Sequence, residues 1–304
     1  MTTKKYVLTG VTTIVLGRKL FKIQAIRSFS DVRVGDLGGY IEKESNLSHD
    51  NNCWVYDNAH VYDNAKVEWH AQIIQDAEVL ANAQVFGNAV VSGHAKISGN
   101  ALVCEYAVVM GRAEVYKGAK IYGKAKVEGY AQVYGDACVY QDSNIRGTSC
   151  VYENAKIHGH AQISGDAKVY GDVQVYDNAS VSGTARISDK AQVFRHASIF
   201  GNAKVYGDAK IQGFSQVYDN AGVYESAEVY DNAQVYGYAL VFGKARVADK
   251  AEVYGKAKVY RDDNIGTKLS PNYDTDKDNK ARPQVSTQSD PNIITLPKGM
   301  WKKK

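Results

Sequence analysis

From Val55 to Ile265 every sixth residue is Val or Ile, 36 positions in succession without a slip. Between 59 and 257 the residue two places before each is Ala, as in Ala59, Ala65, Ala71 and Ala77, except at Ser143, Ser149, Val173 and Ser215. Residues two apart on a strand point to the same side, so the small residue and the aliphatic one face inward together and the residue between them faces out. The outward residue is usually Lys, Gln, Glu or Ser. Gly and Asn or Asp follow, as in Ala203-Lys-Val-Tyr-Gly-Asp208, and these tolerate the positive φ of a tight corner. A period of six with a turn-former in nearly every unit excludes a long helix, whose period is about 3.6.

A strand of three or four residues followed by a corner, repeated three times, closes an 18-residue triangular coil. The 36 units then make 12 coils, stacked in parallel at ~4.8 Å into a rod roughly 58 Å long. The small Ala is part of this logic, because two bulky side chains per side would overpack a narrow prism.

The expected organisation is an N-terminal β cap over 1–38, the repeat over 39–265 and a polar tail over 266–304. In the cap, Tyr6-Val-Leu-Thr and Thr13-Ile-Val-Leu read as strands, with Gly17-Arg-Lys turning into Leu20-Phe-Lys-Ile-Gln-Ala-Ile. A first rung with unpaired backbone invites aggregation unless covered. Leu47 to Val55 is eight residues instead of six, so a two-residue insertion is expected to bulge one corner there. Beyond 265 the pattern dissolves into Ser270-Pro-Asn-Tyr-Asp-Thr-Asp-Lys-Asp-Asn-Lys-Ala-Arg-Pro, which has little to bury. The more apolar Asn292-Ile-Ile-Thr-Leu-Pro-Lys-Gly-Met-Trp301 could serve as a lid on the last coil or dock on a partner.

The aliphatic-x-x-x-small-x hexapeptide resembles the signature of left-handed parallel β-helices, the hexapeptide-repeat, trimeric LpxA-like superfamily, over residues 39 to about 265. The resemblance implies an all-β, single-stranded left-handed parallel β-helix; the usual right-handed crossover rule would give the other hand. More narrowly, Gly35-Asp-Leu-Gly-Gly-Tyr-Ile followed by Cys53-Trp-Val-Tyr-Asp-Asn-Ala is similar to the YdcK-like branch, common in bacterial and phage genomes and often labelled acyltransferase or polymer-forming protein. Enzymes of the superfamily commonly use a His near a subunit junction, often beside loops that interrupt the coils. No such loop interrupts the 36 units here.

The candidate reactive groups are scattered. His70, His94, His160 and His196 fall at corners, His60 and His158 project outward from walls or wall ends, and His49 precedes the regular repeat. His70, His160 and His196 share a corner column but no two are on adjacent coils, so they do not converge on a metal. Asp57, Asp63, Asp177, Asp219 and Asp231, with Asn58, Asn178, Asn220 and Asn232, read as corner chemistry and not as Ca²⁺ ligands, because the Gly-Gly-x-Gly-x-Asp nonapeptide is absent. Cys53, Cys104, Cys138 and Cys150 have no metal-type spacing and none lies above another in an 18-residue coil, so free thiols are expected. The expected catalytic, cofactor and metal sites are therefore none.

Surface patterning is the informative feature. The residues after the aliphatic positions form columns at 18-residue spacing. One column reads Tyr62, Leu80, Ser98, Tyr116, Tyr134, Tyr152, Tyr170, Ser188, Tyr206, Tyr224, Phe242, Tyr260. The other two are more mixed, with a run at Phe200, Tyr218, Tyr236 and Tyr254. Two readings stay open: stacked rings that stabilise neighbouring coils, and a strip for partner binding or self-association, with Tyr116, Tyr134, Tyr152, Tyr170, Tyr206, Tyr224, Phe242 and Tyr260 as its residues. One wall carries Lys168, Arg186, Lys204 and Lys258; another reads Gln162, Ser180, Ser198, Gln216, Gln234. The neutral wall suits packing against a copy of itself.

A net charge of +4 over 304 residues argues against a general polyanion binder, so nucleic acid is not the expected partner. No apolar run of ~20 residues is present, and Met1-Thr-Thr-Lys-Lys lacks a signal-peptide core, so no membrane span and a cytoplasmic location are expected. The expected function is a non-catalytic rigid rod that binds or scaffolds a protein partner or itself, as a homo-oligomer or otherwise. Were the gene carried by a phage, a host-directed binder or inhibitor would follow. The competing classes are a trimeric acyl-CoA-dependent acyltransferase and a self-assembling filament protein.

Overall fold

The computed structural model describes residues 3–269 and 271–275. The lid expected at Asn292–Trp301 and the basic end Lys302–Lys304 lie outside the described residues.

The chain begins with β1 (Tyr6–Val15) and β2 (Arg18–Ala25), an antiparallel hairpin. The two short strands expected at its start are one, carried through Gly10 by a register break between Leu8 and Thr12. The turn falls at Leu16 and Gly17, both with positive φ (49° and 79°), the backbone a two-residue hairpin requires. Next, β3 (Leu37–Ile41) pairs antiparallel with β2 on one edge and parallel with β5 (His60–Val61) on the other. The hairpin thus takes the place of a preceding coil on that wall.

From β4 (Trp54–Val55) onward the chain is a parallel β-solenoid. Each strand pairs with its equivalents one coil before and one coil after, giving one wall of 15 strands, hairpin included, and two of 12. Each strand is two residues long, as at Lys204–Val205, shorter than the three or four expected. The corners take the remainder, yet inter-coil bonding runs through them. Asn202, Lys204 and Tyr206 donate their amides to the carbonyls of Asp219, Ala221 and Val223 at 2.6, 2.9 and 3.1 Å. The core is the predicted one. Ala203 and Val205 are fully buried, as are their equivalents along the rod. Where Ser replaces Ala, at 143, 149 and 215, the buried hydroxyl donates to the carbonyl three residues back at 2.7–2.8 Å, so no polar group is orphaned.

From Asp57 to Arg261 every corner puts its first residue at positive φ. Gly fills many of these positions, as at Gly207 (72°), but Asp177 (56°), Glu225 (58°) and Arg195 (60°) stand there too. The carboxylates have a compensating bond. Asp57, Asp177 and Asp219 accept the amides of Gln75, Arg195 and Gly237, the equivalent residues one coil on, at 3.0–3.2 Å. This is turn chemistry, with an inter-coil tie added.

The expected bulge is present. Ile41 pairs with Val61 and Leu47 bridges to Val67, so the first circuit is longer than the regular one, in which Val55 pairs with Ile73. The extra residues form the corner between Leu47 and Cys53, whose carbonyls turn toward Lys5. The Lys5 ammonium is fully buried there and donates to Cys53 O at 2.8 Å, Asn51 O at 3.3 Å and Asp50 O at 3.4 Å. Tyr6, Phe29 and Trp54 pack edge to face around it.

Candidate interaction surface

The residue after each inward Val or Ile leaves its strand pointing outward, just before the corner. Parallel in-register coils repeat that direction once per circuit, so like side chains align face to face. Tyr116, Tyr134, Tyr152 and Tyr170 stack as one ladder with ring centroids 4.8–4.9 Å apart and planes within 9°. Tyr206, Tyr224, Phe242 and Tyr260 form a second ladder in the same column at 4.8–4.9 Å. Ser188 separates the two. Tyr62, at the head of the column, belongs to neither; it is buried and its hydroxyl donates to Glu78 at 3.2 Å.

The late run in a second column stacks as expected, Phe200, Tyr218, Tyr236 and Tyr254 at 4.8–5.3 Å. The third column holds a ladder not expected from its mixed composition: Tyr122, Tyr140, His158, Tyr176 and Phe194, at 4.8–5.1 Å. Its signal is available at 18-residue spacing, provided His158 is counted as a ring.

Stacking removes both faces of an inner ring from water and leaves its edge and hydroxyl exposed. Partial burial raises the phenol pKa values of Tyr116, Tyr134, Tyr206 and Tyr224 above the ordinary value, and Tyr152 is pushed up to about 12, by burial first and then by the neighbouring Tyr134 and Tyr170. Burial lowers the pKa of His158 in the same way, favouring the neutral ring. Lys117 lies 5.4 Å above the Tyr134 ring, a cation–π contact at the ladder's edge.

The remaining histidines are dispersed. His49 stacks on Tyr6 at 4.3 Å and its Nδ1 accepts the Lys5 amide at 3.3 Å. His60 tilts against Tyr40, and His196 stacks on Phe214. Along one corner, His94 Nδ1 lies 3.7 Å from an Asp76 oxygen and Arg112 covers the Tyr130 ring at 5.6 Å; with Gln75 they line a shallow cleft. Both His94 and Asp76 are at least half exposed there. Among the described residues no three His, Cys, Asp or Glu side chains converge as metal ligands. The four thiols are free, Cys53 and Cys104 buried. No helix among the described residues is long and apolar enough to cross a membrane.

Residues 161–177 match the family model described as the YdcK beta solenoid repeat. A stretch of 38 residues is 47% identical to a protein of Escherichia coli (strain K12) described as "Uncharacterized acetyltransferase YdcK". The match spans 12% of this chain and 12% of that relative. Among solved structures, an Arabidopsis UDP-N-acetylglucosamine acyltransferase is similar over 59% of this chain and 69% of its own, with a TM-score of 0.33 and 13% identity. At that level the likeness carries no argument about chemistry.

Proposed function

We propose that this chain, a YdcK-like left-handed β-helix, is a non-catalytic rod that docks a protein partner, or a second copy of itself, along its aromatic column. The observation that carries the reading is the pair of four-ring ladders, Tyr116 to Tyr170 and Tyr206 to Tyr260, presented edge-on along one side of the rod. Rings locked by their neighbours have already given up their rotamer freedom, so docking against them costs little further ordering. Tyr is also among the residues that most often anchor interfaces.

The test is the triple substitution of Tyr134, Tyr152 and Tyr170 to Ser in the full chain. A partner, or an oligomer, held by the wild-type chain should be lost while circular dichroism keeps the β-solenoid spectrum. Retention of both would leave the column a purely structural feature. The description of the Escherichia coli relative as an acetyltransferase supplies the competing reading, and calorimetry with acetyl-CoA decides it: saturable heat would overturn the non-catalytic assignment. Long polymers in negative stain would instead favour the filament.

A further inference from the structure

Ser188 is a missing rung. In its column the residues one coil before and one coil after it are Tyr170 and Tyr206, each the end ring of a four-ring ladder. Two rung spacings separate these rings, about 9.6 Å at about 4.8 Å each. One further aromatic ring in the same offset would stack on both at the spacing the ladders already use. Ser188 itself is tied only through its backbone, its amide donating to Val205 O at 3.0 Å. Tyr206, on one side of the gap, is 37% exposed, whereas Tyr170, on the other, is half-buried.

The adjoining wall is cationic at the same height. Lys168, Arg186 and Lys204 occupy consecutive rungs in register, an arrangement of like charges that destabilises a sheet. Elsewhere on the walls a cation on one rung faces an anion on the next, Lys96 with Glu78 at 3.2 Å and Arg246 with Glu228 at 3.3 Å. None of these three takes part in an ion pair among the described residues. Three nearby carboxylates are engaged: Asp189 accepts the Gly207 amide at 2.9 Å, Asp172 the Asn154 side chain at 3.0 Å, and Asp166 the Thr148 hydroxyl; Asp208, past the corner from Tyr206, remains as one anion beside the gap.

We propose that the gap at Ser188 receives one aromatic side chain from an acidic segment of a partner protein, with the flanking carboxylates meeting Lys168, Arg186 and Lys204. This deepens the docking reading above and rests on it. Three cations on three consecutive rungs match several carboxylates distributed along a peptide better than the single phosphate of a nucleotide. The ring gap supplies the register and the wall supplies the charge preference.

The probe is a short fluorescent peptide with one central Tyr between Asp and Glu residues, titrated into the full chain and followed by anisotropy. Saturable binding that weakens with salt is expected. Ser188→Tyr, which fills the gap with the column's own side chain, should weaken it roughly tenfold or more, since two ring stacks are lost to the ligand. Ser188→Ala should leave it unchanged, and Arg186→Glu should weaken it. Should Ser188→Tyr fail to fold, Ser188→Leu fills the gap with the residue that Leu80 already places in this column. The proposal is overturned if the wild-type chain does not bind the peptide, if a peptide with Ala for Tyr binds equally, if Ser188→Tyr binds as before, or if adenosine monophosphate displaces the peptide. A native partner lost by the triple Tyr→Ser variant but kept by Ser188→Tyr would overturn the gap assignment while the docking reading stands.

Discussion

The Lys5 ammonium sits 2.8 Å from the carbonyl oxygen of Cys53 and 3.2 Å from its sulfur, with neither residue exposed to solvent. A residue five places into the chain thereby closes the lengthened corner of the first coil. Lys5→Met keeps the stem's packing but leaves those carbonyls without their donor, which should cost about 1–3 kcal/mol. The cost is limited because the buried charge carries a desolvation penalty of its own, which is what lowers the Lys5 pKa. Urea unfolding gives the measurement; an unchanged midpoint would mean that the corner does not depend on this tie.

Ring position within a ladder should set the cost of removing it. Tyr152 stacks on both Tyr134 and Tyr170, whereas Tyr170 has a ring on one side only. At about 0.5–1.5 kcal/mol per stacked pair, Tyr152→Ser should cost about twice what Tyr170→Ser does through stacking. Equal losses in thermal or urea unfolding would show that the rings do not support one another.

Corner carboxylates should separate two opposing effects. Glu225 holds φ at 58° and accepts the Gly243 amide at 2.9 Å. Glu225→Ala keeps the left-handed backbone and loses the bond, so a loss of about 1 kcal/mol is expected. Glu225→Gly loses the same bond but relieves the left-handed cost of about 1–2 kcal/mol, so its melting temperature should stay near that of the wild type. If Glu225→Ala melts with the wild type, the tie between corners contributes nothing; if the two variants melt together, the left-handed backbone carries no cost there.

Stability should fall steeply in alkali. Phenols such as Tyr116, Tyr134 and Tyr152 have raised pKa values in the folded rod. Above pH 10 the unfolded chain therefore loses protons that the folded one keeps, and the slope of stability with pH is negative. Their contribution is complete below pH 10 and drains away as the pH climbs toward 12 for Tyr152. Lys5 acts in the opposite sense: its pKa lies below 10.5, so its penalty eases as the pH rises toward that value. It is one group against many. His49, His60 and His158, with lowered pKa values, remove stability as the pH falls below 6.5. Melts across pH 5–12 should give a curve falling at both ends; a flat alkaline limb would contradict the burial of the rings.

Much of this was legible from residue spacing. Val205 and Ala203 face inward because a two-residue offset leaves a strand no alternative, and the stacking of like positions follows once three such sides close. The longer first coil was readable from Leu47 and Val55. Other features depend on geometry that a repeat does not encode. Strand length was overestimated because the corner residues, such as Asn202, still bond between coils without extended strand geometry. His158 hid a five-ring ladder because it differs in type from Tyr140 and Tyr176 while matching them in shape. Lys5 carries no signal in the spacing of the repeat. Its burial depends on the bulged corner at Cys53, far along the chain.

Each coil bonds only with the ones directly before and after it, so the rod has no built-in length. Duplicating or deleting one full circuit would change its height by a single step and leave each side's chemistry in line. Adding a lone hexapeptide would keep the interior equally content while rotating everything downstream by a third of a circle, carrying Tyr206 and its successors onto a different edge from Tyr170. Selection acting on the outside of such a molecule can thus see a change to which its inside is blind.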